Sequence, residues 1–235
     1  MLPYSVKRPL PPHLVRAHRR RGRLGLALAG SLSLLAGMTD AIGFMALGDF
    51  VSFMSGNTTR LAVAVGAHDL TTILRLGLAV LAFVLGNALG VLCSRIGGRP
   101  TLSVLLAVTA LLCMAGLLPP DLPVAALLCA VLAMGMLNAA VEQVNGVAVG
   151  LTYITGALSR FGRGLGRWLA GDRRLGWRVQ LVPWAGMLLG AVAGAFLQNA
   201  MGLHALLGAA VLAALLAALS CWIPARWQLH YLAKG

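Results

Sequence analysis

The pentapeptide GMTDA at residues 37–41 lies near the end of the first long apolar run, and GMLNA at 135–139 lies in the same place in a run near the middle of the chain. A second matching pair follows: SGNTTRL at 55–61 corresponds to TGALSRF at 155–161. The third pair has GxxxG spacing and consists of Gly86 with Gly90 and Gly190 with Gly194. Matching blocks in the same order indicate that one unit of four elements occurs twice.

The composition is too apolar for a water-soluble domain. Of the 235 residues, 59% are hydrophobic and 11% are charged, and the mean hydropathy is +0.86. Soluble domains average roughly 45–50% apolar and about 25% charged residues, so the polar side chains here are too few to cover a globule in water. The composition therefore predicts an all-α, polytopic membrane helical bundle that has the lipid bilayer as its partner.

Glycine, proline and polar residues divide the chain into eight apolar stretches, which run over 24–47, 50–67, 72–94, 101–118, 122–142, 147–165, 179–199 and 203–222. We predict four regions: a basic, proline-rich cytoplasmic tail, disordered or lying on the surface, at 1–23, a first membrane repeat at 24–118, a second at 122–222 and a cytoplasmic tail at 223–235.

The second element of each repeat decides the topology. If it is re-entrant or broken, with a turn at 55–57, each half crosses three times, the repeats are inverted, and six spans place both termini in the cytoplasm. Only Arg60 and Arg75 then lie off the cytoplasmic side, as the positive-inside rule favours. The alternative is eight spans in parallel repeats, in which Arg75 lies inside instead of Arg95 and Arg99. The re-entrant version avoids an arginine in the middle of a full span, which costs about 2.5–3.5 kcal/mol when it faces lipid.

Several polar side chains occur within the apolar stretches, where ionisable groups are functional candidates by default. Asn138, Glu142 and Asn145 recur at i, i+4 and i+7 and therefore share one helix face, and Asp40 takes the place of Asn138 in the first repeat. Inverted-repeat transporters place substrate and coupling-ion sites where such faces meet. The predicted pathway contains Asp40, Gly56, Asn57, Thr58, Arg60, Asn138, Glu142, Asn145, Tyr153, Thr155, Gly156 and Arg160.

Two kinds of role are open to the charged members of this set. In a pathway, Asp40 and Glu142 would handle a proton or cation, whereas Arg60 and Arg160 would balance charge or attract an anion. In a structural network, the ion pairs Asp40 with Arg60 or Glu142 with Arg160 would hold neighbouring elements together. Asp49, near a predicted helix end, is expected to face water or cap the following element.

The remaining residue types give no sign of other chemistry. Cysteines and histidines are dispersed, and no nucleophile–base set or phosphate-binding loop occurs, so we expect no metal, no cofactor and no enzymatic activity. The cations lie in blocks beside apolar runs, which argues against a nucleic-acid partner. The GxxxG spacings favour close helix packing and are compatible with a homodimer.

GMTDAIGF at 37–44 followed by FVSFMSGNT at 50–58 resembles the YoaK-like family of uncharacterised bacterial inner-membrane proteins. The family pattern is a GxxDAxxF block and then FxxxMTGN, with Ser55 here in place of threonine and the hydroxyl retained. TYITG at 152–156 is similar too, and the resemblance extends over about residues 24–222. It implies a protein of the bacterial cytoplasmic membrane with six spans, and it supplies no substrate.

These observations lead to two hypotheses. The first is a small secondary transporter or channel that moves a small solute or ion across the bacterial inner membrane, and it predicts a polar cavity that reaches Asp40, Asn57 and Glu142. The alternative is a non-transporting scaffold or accessory subunit with a dry, closed core, in which the tail at 1–23 and the loop at 160–178 bind anionic lipid or a partner protein.

Overall fold

The computed structural model describes residues 12–96, 98–139, 143–144, 147–148, 154–173 and 176–223. Its helices are α1 (Pro12–Leu47), α2 (Met54–Gly66), α3 (Leu70–Ser94), α4 (Pro100–Leu117), α5 (Pro123–Leu137), α6 (Ile154–Leu169), α7 (Leu181–Met201) and α8 (Ala205–Ser220). Short 3-10 turns at Gly176–Gln180 and Gly202–His204 precede α7 and α8. The two-residue strands β1 (Gln143–Val144) and β2 (Val147–Ala148) pair antiparallel between α5 and α6.

Each of the eight apolar stretches contains a helix, which confirms the all-α prediction. Three boundaries differ most from expectation. The first helix begins at Pro12, so part of the predicted irregular tail is helical; proline suits the first helical position because its φ is already fixed near the helical value. The fifth helix ends at Leu137 and the sixth begins at Ile154, so the stretches expected at 122–142 and 147–165 are both shorter as helices.

Four helical segments are long and apolar enough to cross a membrane: Gly22–Leu47, Leu70–Ser94, Pro100–Leu117 and Gly176–Ser220. The last contains both α7 and α8, which separate at Gly202, where φ is +59°. The α5 helix is apolar but has only 15 residues. The α2 helix has 13 residues and a length of about 20 Å, which is too short for a hydrocarbon core of about 30 Å.

The helices α1 and α7 pack along their length in parallel. Gly190 lies against the carbonyl oxygen of Leu34, and one turn later Gly194 lies against that of Met38. Residue numbers thus increase together on both helices. A β-carbon at either glycine would overlap the facing backbone, so only glycine allows this close approach, as is usual between helices in membranes.

The helices α3 and α5 repeat this arrangement in the other half. Gly86 lies against the carbonyl oxygen of Leu132, and Gly90 against that of Met136, again in parallel. These α5 carbonyls occupy the repeat positions that match the α1 carbonyls described above. The third helix of each half therefore packs on the first helix of the other half, in one register. The helices α4 and α8 contact each other between these two pairs.

The α2 and α3 helices form a hairpin around residues 67–69. His68 has a φ of +57° at this turn, and Asp69 caps α3 by accepting the backbone N–H of Thr72. Hydrogen bonding, first from the Thr72 side chain and then from its backbone, lowers the pKa of Asp69 below its ordinary value. A carboxylate here is also favourable because it faces the positive end of the helix dipole.

The glycine packing gives a direct test. We expect Gly190→Ala to destabilise the folded protein by about 1–3 kcal/mol, the usual cost of overpacking, because the added methyl group meets backbone that no rotamer change can move. Gly77→Ala is the matched control, since no atom outside the backbone of its own helix lies within 4 Å of its β-carbon position. Alanine there gains up to about 1 kcal/mol of helix propensity. Thermal unfolding in detergent measures both, and equal shifts in Tm would contradict the close packing.

Candidate functional site

The linker between α1 and α2, residues 48–53, folds back against α1. The Asp40 carboxylate holds it: Oδ1 accepts the backbone N–H groups of Val51 at 2.7 Å and Ser52 at 2.6 Å, and Oδ2 accepts the Ser52 hydroxyl at 2.6 Å. Asp40 is only 4% exposed. Asp40 therefore satisfies backbone groups that would otherwise be unpaired in an apolar environment, and Arg60 is not its ion partner.

Asn57 clamps the same linker from the α2 side. Its Oδ1 accepts the backbone N–H of Phe50 at 3.0 Å, and its Nδ2 donates to the carbonyl of Phe50 at 2.6 Å. The side chain is buried. The predicted turn at 55–57 is thus wrong: these residues form the first turn of α2, and the linker itself makes the turn. The adjacent Thr58 donates to the carbonyl of Met54 within its own helix.

A buried carboxylate joins three elements near the end of α1. Asp49 pairs with Arg60 Nη1 of α2 at 2.5 Å and with Arg75 Nε of α3 at 2.5 Å. Arg60 also donates to the carbonyl of Gly48. The Asp49 side chain is fully buried, whereas the side chains of Arg60 and Arg75 are 36% and 19% exposed. The expectation that Asp49 faces water or caps a helix is therefore wrong.

These contacts fix the direction of the chain. Residues 51 and 52 lie beside Asp40, whereas residues 48 and 49 lie beside Arg60. The linker therefore runs back along α1, and α2 then runs forward past it, in the same direction as α1. Arg60 and Arg75 lie at similar distances from the hairpin turn and reach the same carboxylate, so α3 runs opposite to both.

The N-terminal ends of α2 and α6, which correspond in the sequence repeat, meet at one cavity of about 390 Å³. Its lining combines hydroxyl groups, one arginine and apolar side chains: Ser52, Phe53, Met54, Ser55, Phe83, Ile154, Thr155, Gly156 and Arg160. Of the predicted pathway residues, Thr155, Gly156 and Arg160 line this cavity. Asp40 and Asn57 lie one layer behind it, where they hold the linker that forms one wall.

Arg160 lies on the wall contributed by α6. Its Nε donates to Gln180 Oε1 at 2.9 Å, and its guanidinium lies over Gly156. Arg60, the corresponding residue of the first repeat, is instead paired with a carboxylate. Among the described residues, the equivalent arginines of the two halves therefore have side-chain partners of different charge.

Asn138 directly follows α5 and makes polar contact there. The predictions for Glu142, Asn145 and Tyr153 fall outside the described residues, as does the proposed pair of Glu142 with Arg160. Within the described part of the chain, no three His, Cys, Asp or Glu side chains come together as metal ligands.

Sequence reasoning missed the parts played by Asp49, Arg75 and Ser52. A signal for the first two was present, because the six-span count leaves Arg60 and Arg75 away from the other cations. Two isolated arginines beside apolar helices need a counter-charge, and Asp49 is the acidic residue between them and α1.

Because Asp40 holds the linker, two substitutions of this residue should differ in stability. We expect Asp40→Ala to lower the free energy of unfolding by about 2–6 kcal/mol, because it leaves two buried N–H groups unpaired at about 1–3 kcal/mol each. Asp40→Asn keeps the oxygen that accepts both groups, and its amide can donate to Ser52 Oγ, so it should retain most of the stability. Thermal unfolding of the purified variants distinguishes them; equal losses would contradict the anchoring role.

The ion pairs of Asp49 with Arg60 and Arg75 predict that loss of the carboxylate destabilises the protein more than loss of either arginine. Asp49→Asn should cost about 3 kcal/mol, the lower end for breaking a buried pair, because two partly exposed guanidinium groups lose their counter-charge together. Arg60→Gln or Arg75→Gln alone should cost less, since Asp49 keeps one partner. Asp121→Asn, in an exposed loop, is the control. Chemical or thermal unfolding in detergent checks the order, and a larger effect for either arginine variant would contradict it.

Comparison with known proteins agrees with a membrane fold. Residues 28–219 match the family described as "Protein of unknown function (DUF1275)". The chain is 50% identical over 216 residues to the UPF0700 transmembrane protein RA0705 of Rhizobium meliloti (strain 1021), covering 91% of this chain and 94% of the relative. No solved structure matches. The chain belongs to the DUF1275 family, a family of unknown function that here forms an all-α membrane bundle.

Proposed function

We propose that this membrane protein is a small secondary transporter or channel for a small solute or ion. The observation that carries the proposal is the cavity between α2 and α6, because the equivalent segments of both sequence repeats form its walls. A cavity of about 390 Å³ lies within the range of small-molecule sites, roughly 300–1,000 Å³. Broken helices that end at a shared site between repeats are a common plan of secondary transporters.

The proposed architecture consists of two inverted repeats. The α2 helix continues the direction of α1, and α3 reverses it. The α5 helix packs parallel to α3 and therefore runs opposite to α1, its counterpart in the repeat. The linker with α2 then adds no net crossing, which supports three crossings in each half and six in total.

Six crossings place both termini on one side of the membrane. The basic blocks at 7–23 and 160–178 then share that side with Arg95 and Arg99, which by the positive-inside rule is the cytoplasm. Because the matched relative is bacterial, we assign the protein to the bacterial inner membrane.

The exposed basic residues of α6 favour the scaffold as a second candidate function. Arg163 and Arg167 are exposed on a strongly amphipathic helix, and Leu169 is 72% exposed at its end. Basic amphipathic helices of this kind bind anionic membrane surfaces. Arg163 and Arg167 follow Arg160 at i+3 and i+7, so they share its side of the helix.

Thiol accessibility tests the pathway. In a background in which Cys93, Cys113, Cys129 and Cys221 are replaced, we expect Ser55→Cys and Thr155→Cys to react with a small, charged, membrane-impermeant thiol reagent and to lose solute flux in proteoliposomes after labelling. Leu78→Cys, on the apolar face of α3, is the control that should stay unlabelled.

The same reagent applied to whole spheroplasts assigns the topology. With six crossings, cysteines at His68 and Pro120 react from outside and one at Gly98 does not; the reverse pattern supports eight spans. If Ser55→Cys and Thr155→Cys stay unlabelled in open membrane fragments and no solute moves, the cavity is closed and the scaffold function stands.

A further inference from the structure

We propose that the cavity between α2 and α6 binds a small organic monoanion: a carboxylate with a short apolar body. This inference rests on the proposed function, because it names the substrate class of that site. It draws on the charge, the hydrogen-bonding groups and the shape of the cavity walls, each of which is a separate observation.

The charge of the cavity comes from Arg160, which is the charged residue among the described residues that line it. Its side-chain partner, Gln180, is neutral and engages Nε alone. The two Nη groups of a guanidinium held through Nε present a fork that matches a carboxylate. The same position in the first repeat, Arg60, is instead neutralised by Asp49.

The carboxylates that hold the linker do not cancel this charge. Asp40 lies behind Ser52, and its oxygens accept two backbone N–H groups and the Ser52 hydroxyl. Asp49 is occupied by Arg60 and by Arg75. An anion in the cavity therefore meets a cationic wall without an acidic lining residue from the described part of the chain.

The N-terminal ends of α2 and α6 add to the positive potential that Arg160 creates in the cavity. Both α2, with 13 residues, and α6, with 16, begin at the cavity, and each helix carries partial positive charge at its N-terminus. Ser55 and Thr155 supply hydroxyl groups from the two sides. Opposed positive ends would repel a cation and attract an anion.

The rest of the wall restricts the kind of anion. Phe53, Phe83 and Ile154 give the cavity a large apolar surface, which suits a hydrocarbon body better than a fully hydrated inorganic ion. A single guanidinium balances one negative charge. The volume of about 390 Å³ is at the small end of the range for ligand sites, so the expected substrate has only a few carbon atoms.

The experiment measures flux in proteoliposomes with three organic probes of similar size: lactate as the monocarboxylate, lactamide as its neutral analogue and ethanolammonium as a cation. Chloride and sulfate serve as inorganic anions. We expect lactate to move at least tenfold faster than each of the other probes. Thermal stabilisation of the detergent-purified protein by lactate gives a second readout that does not depend on flux.

Substitutions at Arg160 and Ser55 test whether these residues recognise the anion. Arg160→Gln should reduce lactate flux and stabilisation by lactate at least tenfold, and Arg160→Lys should recover part of both. Arg163→Gln is the matched control, because it lies one turn along α6 and bonds to Ser159 instead. Ser55→Asp should lower lactate flux at least tenfold relative to Ser55→Asn, which introduces a side chain of the same size without the negative charge. The Ser55 pair keeps the test decisive if Arg160→Gln does not fold.

The outcomes separate the two proposals. Equal movement of lactamide or ethanolammonium, faster movement of chloride or sulfate, or an unchanged lactate response in Arg160→Gln overturns the monoanion inference while transport stands. If no probe moves and lactate still stabilises the protein through Arg160, the site assignment stands and the transport function fails. If no probe moves and lactate has no effect, both fail.

Discussion

The architecture depends on the need to pair every backbone polar group of a short, non-helical linker in an apolar protein. Residues 48–53 lack the internal hydrogen bonds of a helix, and an unpaired N–H or C=O group costs several kcal/mol where water is absent. Asp40 pairs two N–H groups and a hydroxyl, and Asn57 pairs both groups of Phe50. These two side chains allow the helix to break where it does, and the break places the start of α2 at the cavity.

The equivalent arginines of the two halves, Arg60 and Arg160, have different side-chain partners. In the first, Asp49 joins the linker to α2 and α3 through two arginines, so one carboxylate stabilises three elements. In the second, the equivalent arginine has a glutamine as its partner and keeps its charge beside the cavity. Among the described residues, the arginine of the first half thus pairs with a carboxylate, whereas that of the second half bonds to a neutral glutamine. This difference is what we expect if, as proposed above, the first half supports the fold and the second contacts a ligand.

The sequence alone was sufficient to predict the helices, because apolar stretches divided by glycine, proline and polar residues indicate them, and glycine spacing indicated where helices pack closely. Gly86, Gly90, Gly190 and Gly194 were expected to pack closely, and they do so in one register. The site was predicted only in part. The turn was placed at Gly56 because glycine permits turns, yet hydrogen bonding of Asn57 to Phe50 places it in the linker. Asp49 was misjudged because its partner Arg75 is 26 residues away, and no local pattern reports such a contact.

The third helix of each half packs on the first helix of the other half, and this affects how the protein is assembled. Leu34 and Gly190 meet in the finished bundle, although most of the chain separates them during synthesis. The first helix must therefore remain in the bilayer, with its contact face against lipid, until α7 has been made. Insertion and assembly become two distinct stages, and the late, long-range stage is the one most exposed to misassembly and to degradation by quality-control proteases.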